Sequence, residues 1–456
     1  MIHVISAEYY LIAPFRINDW SSFSTNLPNI WKPFHSYNER SIKEHVANYL
    51  GYIESSYNSL LSSGIAYEGN LQSSNDKNLT SWKGTITLCT ADGEEHPKAK
   101  QLLSPDNIVA MHIAPNRKSG LAMIKLKSSG GSLADVVTTN YYLHKTDSAQ
   151  NPYMKLKTGY DKENKQPVFS VRGVLLDIFK KMLPNGSYEW ENPARFVTAS
   201  YVQIDTSSNK DIKEIQKQLA LLGQAKDGTY LLSARTIDDS VELYQNIWTY
   251  ASAEGFACIV LNDTPGNEPQ FIRDSSSTFE KSYLPLFLTN VIADTVYSNA
   301  LRNLDLVASD INEQNKIRET RLVIALSASH YEHLNRLLSC CRAGRNLEEK
   351  YSSIVECIEA RRMQLERERL EIEKTQQDAE QSRRKQEEDR DRSINYILGF
   401  IGIGQVIFAI LQMTGVNSIF GKSFADGILG KAFVWFWSGL FLVSIGIYLY
   451  RLVKRK

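Results

Sequence analysis

The chain has 456 residues, 23% of them charged, and a formal net charge of +1. Its length exceeds one ordinary domain of roughly 100–200 residues, so more than one structural unit is expected. Charge this close to balance supplies no basic field, and no nucleic acid is expected as a partner.

The five cysteines, Cys89, Cys258, Cys340, Cys341 and Cys357, follow no framework spacing, and their odd number points to reduced thiols. No basic stretch followed by an apolar one opens the sequence, so a cleavable signal is not expected.

The opening MIHVISAEYYLIAPF is rich in β-branched and aromatic residues and predicts a strand ending at Pro14. Apolar residues at three- and four-residue steps in SIKEHVANYLGYIESSYNSLL predict a helix, with Ser41 as its cap. The polar run EGNLQSSNDKNLTSW reads as a surface loop, and GTITLCT, NIVAMHIA and GLAMIKLK as three short strands. Gly130-Gly131-Ser132, ahead of LADVV, is either a plain turn or an anion cradle. Residues 140–167 show no period and read as an irregular insertion or boundary.

Residues 196–262 are more regular. RFVTASYVQID, TYLLSA and FACIVLN read as strands, separated by the helix-like KDIKEIQKQLALLG and TIDDSVELYQNIWTYASAEG. Such alternation predicts a parallel sheet built from right-handed crossovers. Three strand ends would then meet on one edge: Asp205, Thr206 and Ser207; Ser233, Arg235 and Thr236; Asn262, Asp263 and Thr264. Ligands of open α/β sheets bind outside such ends. Arg235 and Thr236 at a helix start would suit an anion. The other reading makes all of them ordinary caps and turns, and no phosphate-loop fingerprint is present.

No proline follows Pro285, and helix is expected to dominate from there. Leu322, Leu326, Leu334, Leu337, Leu347, Ile354, Ile358 and Leu365 keep near-heptad spacing, which buries a stripe against helices of this chain or of neighbouring copies. Beyond Ile372 the stripe gives way to charges at four-residue steps: Glu380 with Arg384, Lys385 with Asp389, Glu388 with Arg392.

Two apolar stretches, 394–413 and 432–450, carry no charged residue and approach the roughly 20 residues of a membrane crossing. Trp435, Trp437, Tyr448 and Tyr450 sit near the ends of the second, where a headgroup layer would lie, and a basic tail follows. These features predict an α/β domain followed by a long helical stalk and two C-terminal transmembrane helices. The expected place is the inner (cytoplasmic) membrane, multi-pass, with both termini cytoplasmic. The expected divisions are 1–285 for the α/β domain, with a sub-boundary near 150–190, and 286–393 for the stalk. The first span, an outer loop (414–431), the second span and the tail (451–456) complete the chain. On a helical projection Asn395, Leu398, Gly402, Gln405, Ala409, Gln412 and Val416 share one face. Amides within a span face either a pore or a neighbouring helix, and both readings require self-association.

This order of segments resembles the CorA family of two-span metal-ion channels. In that family the first span ends in Gly-Met-Asn, and here it ends in Gly415-Val416-Asn417. The resemblance covers residues 346–456 and implies a homopentamer whose pore mouth holds a hydrated divalent cation such as Mg²⁺. The chain departs from the family at Val416, and its outer loop sets one acid, Asp426, against Lys422 and Lys431. An enlarged, divergent member is similar to the branch found with type III CRISPR systems. That likeness implies an antiviral defence effector, gated by a nucleotide messenger such as adenylated S-adenosylmethionine, with the α/β domain as receptor. A Mg²⁺ transporter and a membrane-anchored coiled-coil scaffold without a pore are the rival readings. The implied partners are lipid, further copies of the chain and a small nucleotide.

His330 and His333 stand three apart and could share a metal, but no third ligand follows at a fitting spacing. Cys340-Cys341 reads as a pair of small apolar side chains. No nucleophile–base constellation is visible, and the chain is not expected to be an enzyme.

Overall fold

The computed structural model describes residues 2–33, 65–70, 86–89, 94–114, 116–145, 155–158, 168–191, 196–207, 211–326, 332–414 and 428–453. The chain divides into two units, Met1–Arg362 and Met363–Lys456.

The first unit is built on a mixed sheet with thirteen strands among the described residues. They are β1 (His3–Ile17), β2 (Trp31–Pro33), β3 (Ile65–Asn70), β4 (Ile86–Cys89), β5 (Leu102–Ile113), β6 (Ser119–Ser129) and β7 (Lys155–Thr158). β8 (Val168–Ser170), β9 (Tyr188–Trp190), β10 (Val197–Asp205), β11 (Val241–Tyr244), β12 (Ile247–Ala251) and β13 (Gly255–Asn262) follow. The order is β11-β12-β13-β10-β1-β6-β5-β4-β7-β8; β3 also pairs with β5 and β2, and β9 with β1.

β1 is the seam of this sheet. Tyr9, Leu11 and Phe15 point into one core, while Tyr10 and Ile12 point into the other, so both faces are covered and the strand reads as a nearly unbroken apolar run. It does not stop at Pro14 as its sequence predicts. On that side the neighbour changes from β10, last paired at Ile12 with Val197, to β9, first paired at Phe15 with Trp190. Pro14 falls between those partners, where its missing N–H leaves no ladder bond unmade.

Helices cover both faces. α1 (Leu133–His144), α2 (Val171–Met182) and α3 (Ile212–Gly223) pack on the first. The second is covered by α4 (Leu284–Arg302), α6 (Glu332–Gly344) and the start of α7 (Leu347–Thr414); α5 (Ile311–Leu326) lies between α4 and α6 in the chain. α4 continues directly from a short helix, Ser275–Thr278, through a π-turn, Phe279–Tyr283. In that turn Glu280 accepts from Tyr10 (2.8 Å) and pairs with Lys125, which also reaches Glu8 at 3.0 Å. Burial between these two carboxylates pushes the Tyr10 hydroxyl far above its ordinary pKa.

α6 and α7 meet at an elbow. Asn346 has φ +51, a left-handed conformation that Asn tolerates better than most residues. A Cβ on Gly344 would lie 2.9 Å from the Ser252 Cα, so only glycine fits there. Arg345, 3% exposed, binds Asp294 at 3.2 Å and lies 5.1 Å from the centre of the Phe287 ring, and Asp294 also pairs with Lys350.

In the second unit α7 is exposed along its charged length, with Arg369–Glu373 at 3.3 Å and the expected Glu380–Arg384 pair at 3.1 Å. Apolar side chains on its later part and on α8 (Ile428–Val453) are exposed as well, Phe400 by 78% and Trp435 by 79%.

Several expectations are corrected. The sheet is largely antiparallel, with β10 and β13 as the parallel pair among the described strands. TYLLSA forms no strand. The helix expected after it is instead a short helix, Ala234–Asp238, and the hairpin β11–β12, because VELY and IWTYA alternate with period two around a two-residue turn. Residues 140–167 include the end of α1 and all of β7. The heptad stripe holds at Leu337, Leu347, Ile354 and Ile358, but Leu365 is 42% exposed. The side chains of Leu322, Leu326 and Leu334, and the helix expected after Ser41, lie outside the described residues.

The membrane assignment is overturned too. Among the described residues no helix is long and apolar enough to cross a membrane. The apolar part of α7 follows a charged run ending at Arg392, and Lys431 and Arg451 bound that of α8. The stretch in α7 also carries the amides Asn395, Gln405 and Gln412, and neither described helix reaches the combined length and apolarity that a crossing requires. The two transmembrane helices, the multi-pass inner-membrane location and the ion-channel class that rested on them do not hold for the described helices.

Candidate functional site

All eight residues of β13 are buried, as the unbroken run GFACIVLN demands of a strand covered on both faces. Polar residues can appear only where that cover ends, and they do so together with those of β10. Asp205 stands opposite Asn262 in the parallel register, and the Thr206 N–H donates to the Asn262 carbonyl at 3.0 Å.

From this seam the side chains form a connected edge. The Thr206 hydroxyl donates to Asp263, whose other oxygen accepts from Asn246 Nδ2 at 3.3 Å. Asn262 donates Nδ2 to Glu268 at 3.1 Å and accepts the Thr264 N–H at 3.0 Å. The Gly266 N–H reaches Glu268 at 2.8 Å, and Asp205 accepts from Ser207 N–H (2.9 Å) and hydroxyl (2.6 Å). Asn262 and Thr206 are buried; Asp205 and Glu268 are half-exposed and Asp263 is exposed. The bonds from Ser207 hold the Asp205 carboxyl below the usual carboxylate range. The Gly266 amide, ahead of Asn262, does the same for Glu268. The edge thus has an acidic rim over a buried amide. Such a rim accepts hydrogen bonds and attracts cations.

Beside it, Tyr244 at the end of β11 and Phe271 in the short helix Gln270–Arg273 meet edge to face, centroids 5.6 Å apart. Both are exposed, by 53% and 36%.

Of the residues singled out in the sequence, Asp205, Thr206, Ser207, Asn262, Asp263 and Thr264 are brought together here. Arg235 and Thr236 are not. Their helix precedes Val241, which pairs with Thr249 and through it with Cys258, so the register carries them towards the Gly255 end of β13. That helix has five residues, and its Thr236 N–H is already taken by the Ser233 hydroxyl at 3.1 Å. Arg235 and Thr236 therefore stand apart from the strand-end edge.

Sequence reasoning missed Asn246, Glu268, Tyr244 and Phe271. The signal for Asn246 was present, since Gln245-Asn246 separates two alternating runs as a hairpin turn does. Glu268 and Phe271 had none, because they reach the edge only through the loop after β13.

The remaining candidates divide as follows. Asn395 and Gln405 are exposed on α7. Gly415, Val416, Asn417 and His330, with the side chains of Gln412 and His333, lie outside the described residues. Gly130 and Gly131, at φ +71 and +88, form a turn into α1. Ser132 and Asp135 close a capping box there, so the helix start is satisfied from within. Cys340 is half-buried and Cys341 buried, as small apolar residues would be. Among the described residues no group of three or more His, Cys, Asp or Glu side chains could hold a metal ion.

Compared with known proteins, the chain matches no family model, no curated protein and no solved structure.

Proposed function

We propose that this chain is a messenger-responsive effector whose first unit receives a small adenosine-bearing ligand at the carboxyl ends of β10 and β13. The convergence of Asp205, Thr206, Asn262 and Asp263 on one strand-end edge carries this reading. β10 and β13 are the parallel pair among the described strands, and ligands of parallel strands bind outside their carboxyl ends, where carboxylates accept the hydroxyls of a ribose. A nucleoside messenger such as adenylated S-adenosylmethionine offers those hydroxyls together with cationic groups. The chain works in this reading as a homo-oligomer assembled through its long helices. No membrane crossing enters it, and no catalytic step.

The test is isothermal titration of the full chain with adenylated S-adenosylmethionine, and separately with Mg²⁺. Saturable binding of the conjugate, weakened at least tenfold in Asp205→Asn/Asp263→Asn, supports the receptor reading. Heat from Mg²⁺ alone, with none from the conjugate, counts against it.

A further inference from the structure

We propose that the ring pair Tyr244–Phe271 is a stacking platform for a flat heterocycle. With the acidic rim beside it, the platform selects ligands whose remaining body is neutral or cationic and turns away polyphosphates. This inference rests on the strand-end reading above and names the chemistry that the edge would take.

Two observations on separate elements support it. The first is the rings themselves, brought from a hairpin and from a helix to meet outside the core, where neither helps to close it. Large aromatic side chains left in water in contact with one another present a face to which an aromatic ring adds with little reorganisation. The second is charge. Glu242 shares a strand with Tyr244, and its carboxylate accepts the Asn246 N–H at 3.4 Å. Glu268 precedes Phe271 by three residues, and Asp263 is joined to the turn that follows Tyr244. Four carboxylates, those of Asp205, Glu242, Asp263 and Glu268, thus lie along the edge the rings border, and Arg273 is the cation whose charge is felt at Glu268. A ring stacked on Tyr244 would hold its substituents over that rim. Ribose hydroxyls and an ammonium or sulfonium would be attracted, and a triphosphate would meet like charge.

The experiment compares adenosine, S-adenosylmethionine and ATP on the full chain by equilibrium dialysis, in wild type, Tyr244→Leu, Phe271→Leu and Tyr244→Phe. The expected order is the sulfonium compound tightest, adenosine next and ATP weakest. Each leucine variant should weaken binding by about tenfold, the range of one base–aromatic stack, while Tyr244→Phe retains it. Because both side chains are exposed, folding is expected to persist in every variant, which circular dichroism checks. Unchanged affinity in both leucine variants, or ATP bound as tightly as the sulfonium compound, overturns the platform. If at the same time Asp205→Asn/Asp263→Asn abolishes binding, the strand-end reading survives alone. Absence of binding by all three compounds and by the adenylated conjugate overturns both.

Discussion

Replacing Asp294 by alanine tests how the elbow between α6 and α7 is held. The Asp294 carboxylate joins Arg345, 3% exposed, and Lys350, 30% exposed. Lys350 can turn into water when its partner is lost, but Arg345 cannot, because it is packed over the Phe287 ring. Removing one partner of a buried pair leaves an uncompensated charge and costs about 3–5 kcal/mol. Unfolding entropy is about 2 cal/mol/K per residue, so for Met1–Arg362 that cost lowers the melting midpoint by roughly 4–7 °C. Scanning calorimetry of Asp294→Ala, Arg345→Met and Asp294→Leu/Arg345→Met would separate the causes. The double variant removes both buried charges and is expected to recover most of the loss. Equal melting points for Asp294→Ala and the double variant would refute the argument from an unpaired charge.

Three further outcomes are expected. His112 is 2% exposed, and burial pulls its pKa from 6.5 down to about 4. The unfolded chain therefore takes up the proton first, and stability falls as pH drops from about 6.5 to 4, by at most about 3 kcal/mol. Urea midpoints at pH 7 and pH 4.5 measure this, and His112→Phe should flatten the difference. Of the five cysteines only Cys357 is exposed, and burial raises the Cys258 and Cys341 thiols, the latter to about 12. A thiol reagent should accordingly label one site rapidly in the native chain, and fast labelling of three or more would contradict the packing. A Cβ on Gly255 would lie 2.8 Å from the Thr198 carbonyl and 3.0 Å from that of Gly223. Gly255→Ala is thus expected to destabilise by about 1–3 kcal/mol, the usual range for overpacking, read as a lower urea midpoint; wild-type stability would show that the strands can part there.

What could be read in advance followed the period of the apolar residues. The buried strands β1, β6 and β13 announced themselves because both of their faces are covered, and the helices after Pro285 because nothing in the sequence interrupts them. The hairpin β11–β12 was misread because TIDDSVELYQNIWTYASAEG is long enough for a helix, while its alternation is confined to two runs of four and five residues. The ligand-edge residues from Asp205 to Ser207 and from Asn262 to Thr264 were legible, since they directly end two strands. Arg235 failed for the same reason as the hairpin, because no strand precedes it. Apolar composition also misled at 394–413 and 432–450, where hydropathy and flanking residues suggested spans that the described helices do not supply.

The place of β1 has a consequence for biosynthesis. Its partners β6, β9 and β10 lie at residues 119–129, 188–190 and 197–205, so the strand is made long before the neighbours that flank it. At roughly 5–20 residues per second the ribosome leaves this apolar segment without its second neighbour for on the order of ten seconds or more. Pairings so distant in sequence also form slowly. The nascent chain therefore carries an adhesive ribbon for that interval, and a chaperone that shields it until β10 emerges would raise the yield of folded protein.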